Sequence, residues 1–85
     1  MKNLNEFTER TLSSALYDTR QEIQDATKRY GPALTRHDAM SILHEEVDEA
    51  WDKVKTNAES RALYRELIQV AAMAVRFAAQ LSATP

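Results

Sequence analysis

The chain has no cysteine, which excludes disulfide staples and thiolate metal ligands. It has one glycine and two prolines in 85 residues. That scarcity, with many Ala, Leu, Glu and Arg, points to an all-α protein. No charge of one sign dominates: 11 basic residues face 13 acidic ones, a net charge of −2. This argues against general nucleic-acid binding, which needs a basic face. No apolar run approaches the roughly 20 residues that span a bilayer, and the first residues lack a secretory-signal pattern. The expected setting is cytoplasmic, with neither membrane nor nucleic acid as partner. Residues 1–85 fit a single domain with a modest core. Without disulfides, self-association is the obvious remaining source of buried surface.

Leu12, Leu16, Ile23, Ala26 and Tyr30 recur at helical spacing. They predict a first helix over about 12–30, with an earlier start near Asn5 also compatible. Gly31-Pro32 is expected to end it, since Gly suits a left-handed cap and Pro cannot continue a helix. Thr35-x-x-Asp38 is an N-capping signature for a second helix over about 36–55. Thr56-x-x-Glu59 reads as the capping box of a third, which runs to about Ser82. Residues 1–10 and the last three are expected to be loose.

At 100° per residue the second helix divides into sectors. Ala39, Met40, Leu43, Val47, Ala50, Trp51 and Val54 form a core stripe. Ser41, Glu45, Asp48 and Asp52 lie opposite. Ile42, Glu46, Glu49 and Lys53 share a flank. An isoleucine among those charges implies that another helix or subunit covers the flank. The third helix is apolar nearly all round, with Leu63, Val70, Met73, Phe77 and Leu81 on one face and Tyr64, Ile68, Ala71, Val75 and Ala78 on another. Only Arg61, Arg65, Gln69, Arg76 and Gln80 form a polar sector. Such a helix belongs at the centre of a bundle. Glu66 falls among Leu63, Val70 and Met73. Left unpaired there, a carboxylate costs on the order of several kcal/mol, so it calls for a cation, a raised pKa or a metal.

Glu46 and Glu49 stand at i and i+3, and Glu66 and Gln69 repeat that spacing after 16 intervening residues. Two such helices side by side present oxygen ligands to a hard cation, Mg²⁺ or in its place Mn²⁺. An ion of this kind polarises a phosphoryl oxygen and activates water. In this reading Glu46, Glu49 and Glu66 are ligands, and Gln69 offers a carbonyl oxygen or orients a water. Glu45 reaches a water or a second ion from the edge. Lys53, one turn after Glu49, meets a substrate phosphate, ahead of Arg65 and Arg76. Duller readings stand beside these. Helical acids are mostly solvated charge, and Glu49–Lys53 is an i,i+4 pair worth only ~0.3–0.5 kcal/mol. Glu66 has the alternative of a buried pair with an arginine. His44 reads as a surface or packing residue, because nothing beside it supports a zinc site. Trp51 reads as core. Tyr17, Arg20 and Gln24 are open candidates for lining a pocket.

The segment Ile42-Leu43-His44-Glu45-Glu46-Val47-Asp48-Glu49-Ala50-Trp51, followed by Glu66-Leu67-Ile68-Gln69-Val70-Ala71-Ala72-Met73-Ala74-Val75-Arg76-Phe77, resembles the MazG-like proteins. These belong to the all-α nucleoside triphosphate pyrophosphohydrolases. The resemblance covers about residues 35–80. The family pattern is Glu-Glu-x-x-Glu, a gap, then Glu-x-x-Asp. Glu45, Glu46 and Glu49 match the first part and Glu66 the start of the second, while Gln69 stands where the metal-binding Asp is expected. The resemblance implies Mg²⁺-dependent cleavage of a nucleoside triphosphate to the monophosphate and pyrophosphate, with Glu45 as accessory ligand or water-orienting base. It also implies a bundle of three main helices completed by dimerisation, as a homodimer or homotetramer. Gln69 motivates a second expectation, a catalytically silent MazG-like protein that binds nucleotide or a protein partner, because a neutral amide holds Mg²⁺ less strongly than a carboxylate.

Overall fold

The structure, a computed structural model, describes residues 4–85. Among these the regular structure is entirely helical: α1 (Glu9–Arg29), α2 (Arg36–Lys55) and α3 (Ser60–Ser82).

The local chemistry of each terminus explains these limits. Thr8 and Thr11 form a reciprocal box: the Thr11 N–H donates to the Thr8 hydroxyl at 3.1 Å, and the Thr8 N–H to the Thr11 hydroxyl at 2.9 Å. α1 therefore starts at Glu9, so residues 9 and 10, expected to be loose, are helical. Residues 1–3 of that expected loose end lie outside the described residues. The helix stops at Tyr30, which is extended (φ −126°, ψ 144°). Gly31 does not adopt a positive φ, so the expected left-handed glycine cap is not used. Pro32 biases Gly31, the residue before it, away from the helical region, so the helix is expected to end at or before Gly31; it ends one residue earlier, at Tyr30.

α2 begins as expected, with the Thr35 hydroxyl accepting from the Asp38 N–H at 3.0 Å. The expected Thr56-x-x-Glu59 box does not form. Thr56 is instead the C-terminal cap of α2, its hydroxyl donating to the Asp52 carbonyl at 2.7 Å. Asn57 then takes the left-handed conformation (φ 53°), which asparagine tolerates better than most residues. Glu59 precedes α3 without a side-chain cap.

α3 packs against both other helices, whereas α1 and α2 do not pack against each other. The doubly apolar helix thus takes the central place its sequence predicts. Ala26 of α1 meets Met73 and Phe77 of α3, with Ala33, Ala39 and Leu43 packed around them. The face of α1 turned inward is Ala15, Asp18, Thr19, Glu22, Ile23 and Ala26, spaced as one helical stripe. Leu16 and Tyr30 point away from it, each 61% exposed. The inner face thus carries two acids. One is satisfied: the Tyr64 hydroxyl donates to Asp18 Oδ2 at 2.6 Å.

Part of the polar sector of α3 is engaged with backbone. The Ala33 N–H donates to Gln80 Oε1 at 3.2 Å, and Gln80 Nε2 donates back to the Ala33 carbonyl. Arg76 Nη2 donates to the Gly31 carbonyl at 3.5 Å. These bonds clasp the α1–α2 connection to the end of α3.

Much apolar surface remains open. Trp51, expected in the core, is 59% exposed, and Met40 and Val54 of the same stripe are also exposed. The chain exposes 7292 Å², where a folded monomer of its mass exposes about 5,100 Å². Its radius of gyration is 14.1 Å, against about 12 Å for a compact domain of this length.

Two substitutions test this account of the connection. Gly31→Ala should leave stability unchanged or raise it by up to about 1 kcal/mol, because a Cβ there meets nothing within 4 Å. Gln80→Ala should cost about 1–3 kcal/mol by stranding the Ala33 backbone groups. Urea unfolding of both variants checks the pair; an equal loss in both would contradict the clasp.

Candidate metal centre

Glu49 lies six residues before the end of α2, and Glu66 six residues after the start of α3. At 1.5 Å of rise per residue, each stands about 9 Å from the turn, so the hairpin brings them to the same level. Glu46 joins them from one turn earlier on the same flank of α2. One oxygen from each of Glu46, Glu49 and Glu66 lies within 4.8 Å of the others. These are the three acids that the i,i+3 spacing singles out.

The cluster is partly shielded from water. Glu46 and Glu66 are half-buried and Glu49 is exposed. Glu46 Oε2 and Glu66 Oε2 are buried without any hydrogen-bond partner. Burial raises the Glu46 carboxyl above the usual range, and the charges of Glu49, Glu66, Glu22 and Glu45 push it further. Glu66 is raised by burial and then by Glu49, against the opposing pull of Lys53. The alternative of an arginine partner for Glu66 is not realised: no Glu66–arginine pair forms among the described residues. Two buried carboxylate oxygens without a donor, beside a third carboxylate, are the ligand type a hard divalent cation takes. The donor set fits such an ion.

The other expected residues are placed unequally. Gln69, half-buried, shares a cavity of about 370 Å³ with Glu46 and Glu22. It also borders a second cavity of about 550 Å³ between α1 and α3, with Tyr64, Arg61 and Arg65. Glu45 is exposed and stands outside the three-carboxylate group, although its charge still reaches Glu46. Lys53 is half-buried and acts on Glu66; the expected Glu49–Lys53 pair is not among the ion pairs formed. Arg76 is occupied by the Gly31 carbonyl. Asp48 pairs with exposed His44 at 3.4 Å and Asp52 with Lys55 at 3.4 Å, as surface charges do.

α1 corrects the expectation most. Tyr17, Arg20 and Gln24 point outward, and the cavity wall is built instead from Asp18, Gln21, Glu22 and Asp25. Asp18 and Glu22 stand at i and i+4, on the stripe defined by Ala15 and Ala26. That stripe was the available signal. The larger Leu12, Leu16 and Tyr30 masked it.

The raised acids set a pH dependence for the metal-free protein. Above the ordinary value of 4.5, folded Glu46 and Glu66 keep protons that the unfolded chain has released. This stability is full below that value and is lost as pH rises through the folded pKa values. In the presence of chelator, the contribution of these groups should therefore raise the thermal midpoint as pH falls from neutral toward the ordinary value of 4.5. Glu46→Gln with Glu66→Gln should flatten that trend. A trend of the same size in the double variant would contradict the assignment.

Compared with protein-family models, curated proteins and solved structures, the chain gives no match in any of the three, so the functional argument rests on the carboxylate cluster and the cavities beside it.

Proposed function

We propose that this chain is a MazG-like nucleoside triphosphate pyrophosphohydrolase, which uses Mg²⁺ to cleave between the α- and β-phosphates. The observation that carries the reading is the convergence of Glu46, Glu49 and Glu66 from two helices, with two buried oxygens lacking any donor. Those are the acids that fit the Glu-Glu-x-x-Glu and Glu-x-x pattern.

In this reading Glu46, Glu49 and Glu66 hold the ion. A bound Mg²⁺ supplies Lewis-acid polarisation of the phosphoryl group and lowers the pKa of water. Gln69, one turn after Glu66, orients water or a phosphate oxygen through its amide. Glu45 sits at the exposed edge, where its carboxylate is free to take the proton of an attacking water. Lys53, close enough to act on Glu66, balances the charge of an arriving triphosphate. The cavity of about 550 Å³ offers Arg61, Arg65 and the Tyr64 ring to the rest of the nucleotide. One water is consumed, one P–O bond is broken, and the monophosphate and pyrophosphate leave.

The reading includes a second copy of the chain. The excess exposed surface, of order 2,000 Å² over a monomer of this mass, is what a protomer of an obligate dimer leaves for its partner. Sedimentation equilibrium at micromolar concentration should then give a dimer or tetramer.

A silent MazG-like protein that binds nucleotide or a protein partner is the second reading, favoured by the neutral Gln69. An assay of pyrophosphate release across the ribo- and deoxyribonucleoside triphosphates, with Mg²⁺ or Mn²⁺, separates the two. The enzyme reading expects release from at least one nucleotide, abolished by chelator and reduced at least 100-fold by Glu66→Gln. Mg²⁺ binding without release from any nucleotide would favour the silent protein.

A further inference from the structure

α1 and α2 pack on two sides of α3, and a third side stays open. It carries Leu67, Ala74, Ala78 and Leu81, spaced as one helical stripe. Leu67 is 52% exposed and Leu81 53%. α2 continues this side. Met40 of α2 and Leu81 of α3 line one apolar cavity of about 480 Å³ with Leu34. Trp51 and Val54 lie on the same stripe of α2 as Met40 and are exposed with it. The open side of α3 carries no charged residue. The charges at the α2 edge are paired locally, His44 with Asp48 and Asp52 with Lys55. An uncharged centre with a polar rim is the anatomy of a protein interface. The outer side of α1 is different, because Leu16 shares it with Glu9 and Arg20.

The area and the charge both point to a second copy as the occupant. The 7292 Å² exposed by the chain exceeds that of a monomer of its mass by about 2,000 Å². Obligate dimers bury roughly 1,000–2,500 Å² per copy. A two-fold contact sets a patch against its own copy, and an uncharged patch meets itself without like-charge repulsion. We propose that this side of α2 and α3 is where the second copy docks, α3 against α3, so that the two hairpins form a four-helix core. The proposal rests on the second-copy reading above and is independent of the metal. It leaves the acid cluster outside the contact, since Glu46 and Glu49 lie on another flank of α2.

Sedimentation equilibrium and the emission of Trp51, the single tryptophan, test it on the full chain across a dilution series. Dissociation of wild type should shift the emission to the red. Ala74→Arg places a charge in the middle of the α3 stripe through a residue that suits helices. It should weaken association at least about 100-fold, keep the helical circular dichroism and emit in the red at every concentration. Leu16→Arg on α1 should associate as wild type does. Undiminished association of Ala74→Arg, or dissociation by Leu16→Arg, would overturn this face and leave the second-copy reading standing. If Ala74→Arg loses its helices, wild type decides alone: a red shift on dissociation supports the face, and an unmoved emission overturns it. A wild type that is monomeric throughout would overturn both readings.

Discussion

Repulsion among like charges in a half-buried space is the constraint that organises this molecule. Glu46, Glu49 and Glu66 each bring an oxygen within 4.8 Å of the others. Two of those carboxylates have an oxygen sealed from both water and donors. Each unsatisfied buried acid opposes folding. The hairpin of α2 and α3 enforces the arrangement, because its turn lies the same number of residues from Glu49 and from Glu66. Protons offset the repulsion in acid, and the single lysine that acts on Glu66 offsets part of it at neutral pH. A divalent cation would offset it more completely than either.

The remainder of the structure is arranged around α3. Small side chains, Ala26 and Ala72, are sealed in while large ones stay partly open, so the helices approach closely without a deep core. Polar groups of α3 are spent on the backbone of the connection before α2. The result fixes the start of α2 relative to the end of α3, and hence the height of Glu46 and Glu49. What holds α1 is thinner: Ala26 in the core and the Tyr64–Asp18 bond.

The helices and the three acids were readable in the sequence for definite reasons. Thr35 caps α2 through a side chain whose geometry is local, and the i,i+3 spacing of Glu46 and Glu49 places them on one flank whatever the surroundings. The central position of α3 followed from apolar residues on two of its faces. Local rules failed where the same residue suits two tasks. Thr56 can open a helix or close one; here it is the C-terminal cap of α2, followed by Asn57 in the left-handed conformation. On α1 the sequence stripe holds at Ile23 and Ala26, but size outweighed position elsewhere: Leu12, Leu16 and Tyr30 drew it away from Ala15, Asp18 and Glu22. Trp51 was misplaced because an apolar stripe does not say whether its cover comes from the same chain. Gln80 reads only as part of a polar sector, and Arg76 as that or a weaker phosphate contact, since nothing local shows that a connection will fold back over them.

Crystals of the protein grown with Mn²⁺, measured at a wavelength where manganese scatters anomalously, test the central claim most directly. The account predicts an anomalous peak at about 2.1 Å from oxygens of Glu46, Glu49 and Glu66 together. Well-ordered carboxylates with no peak between them, or with an arginine of a second copy seated there instead, would contradict it.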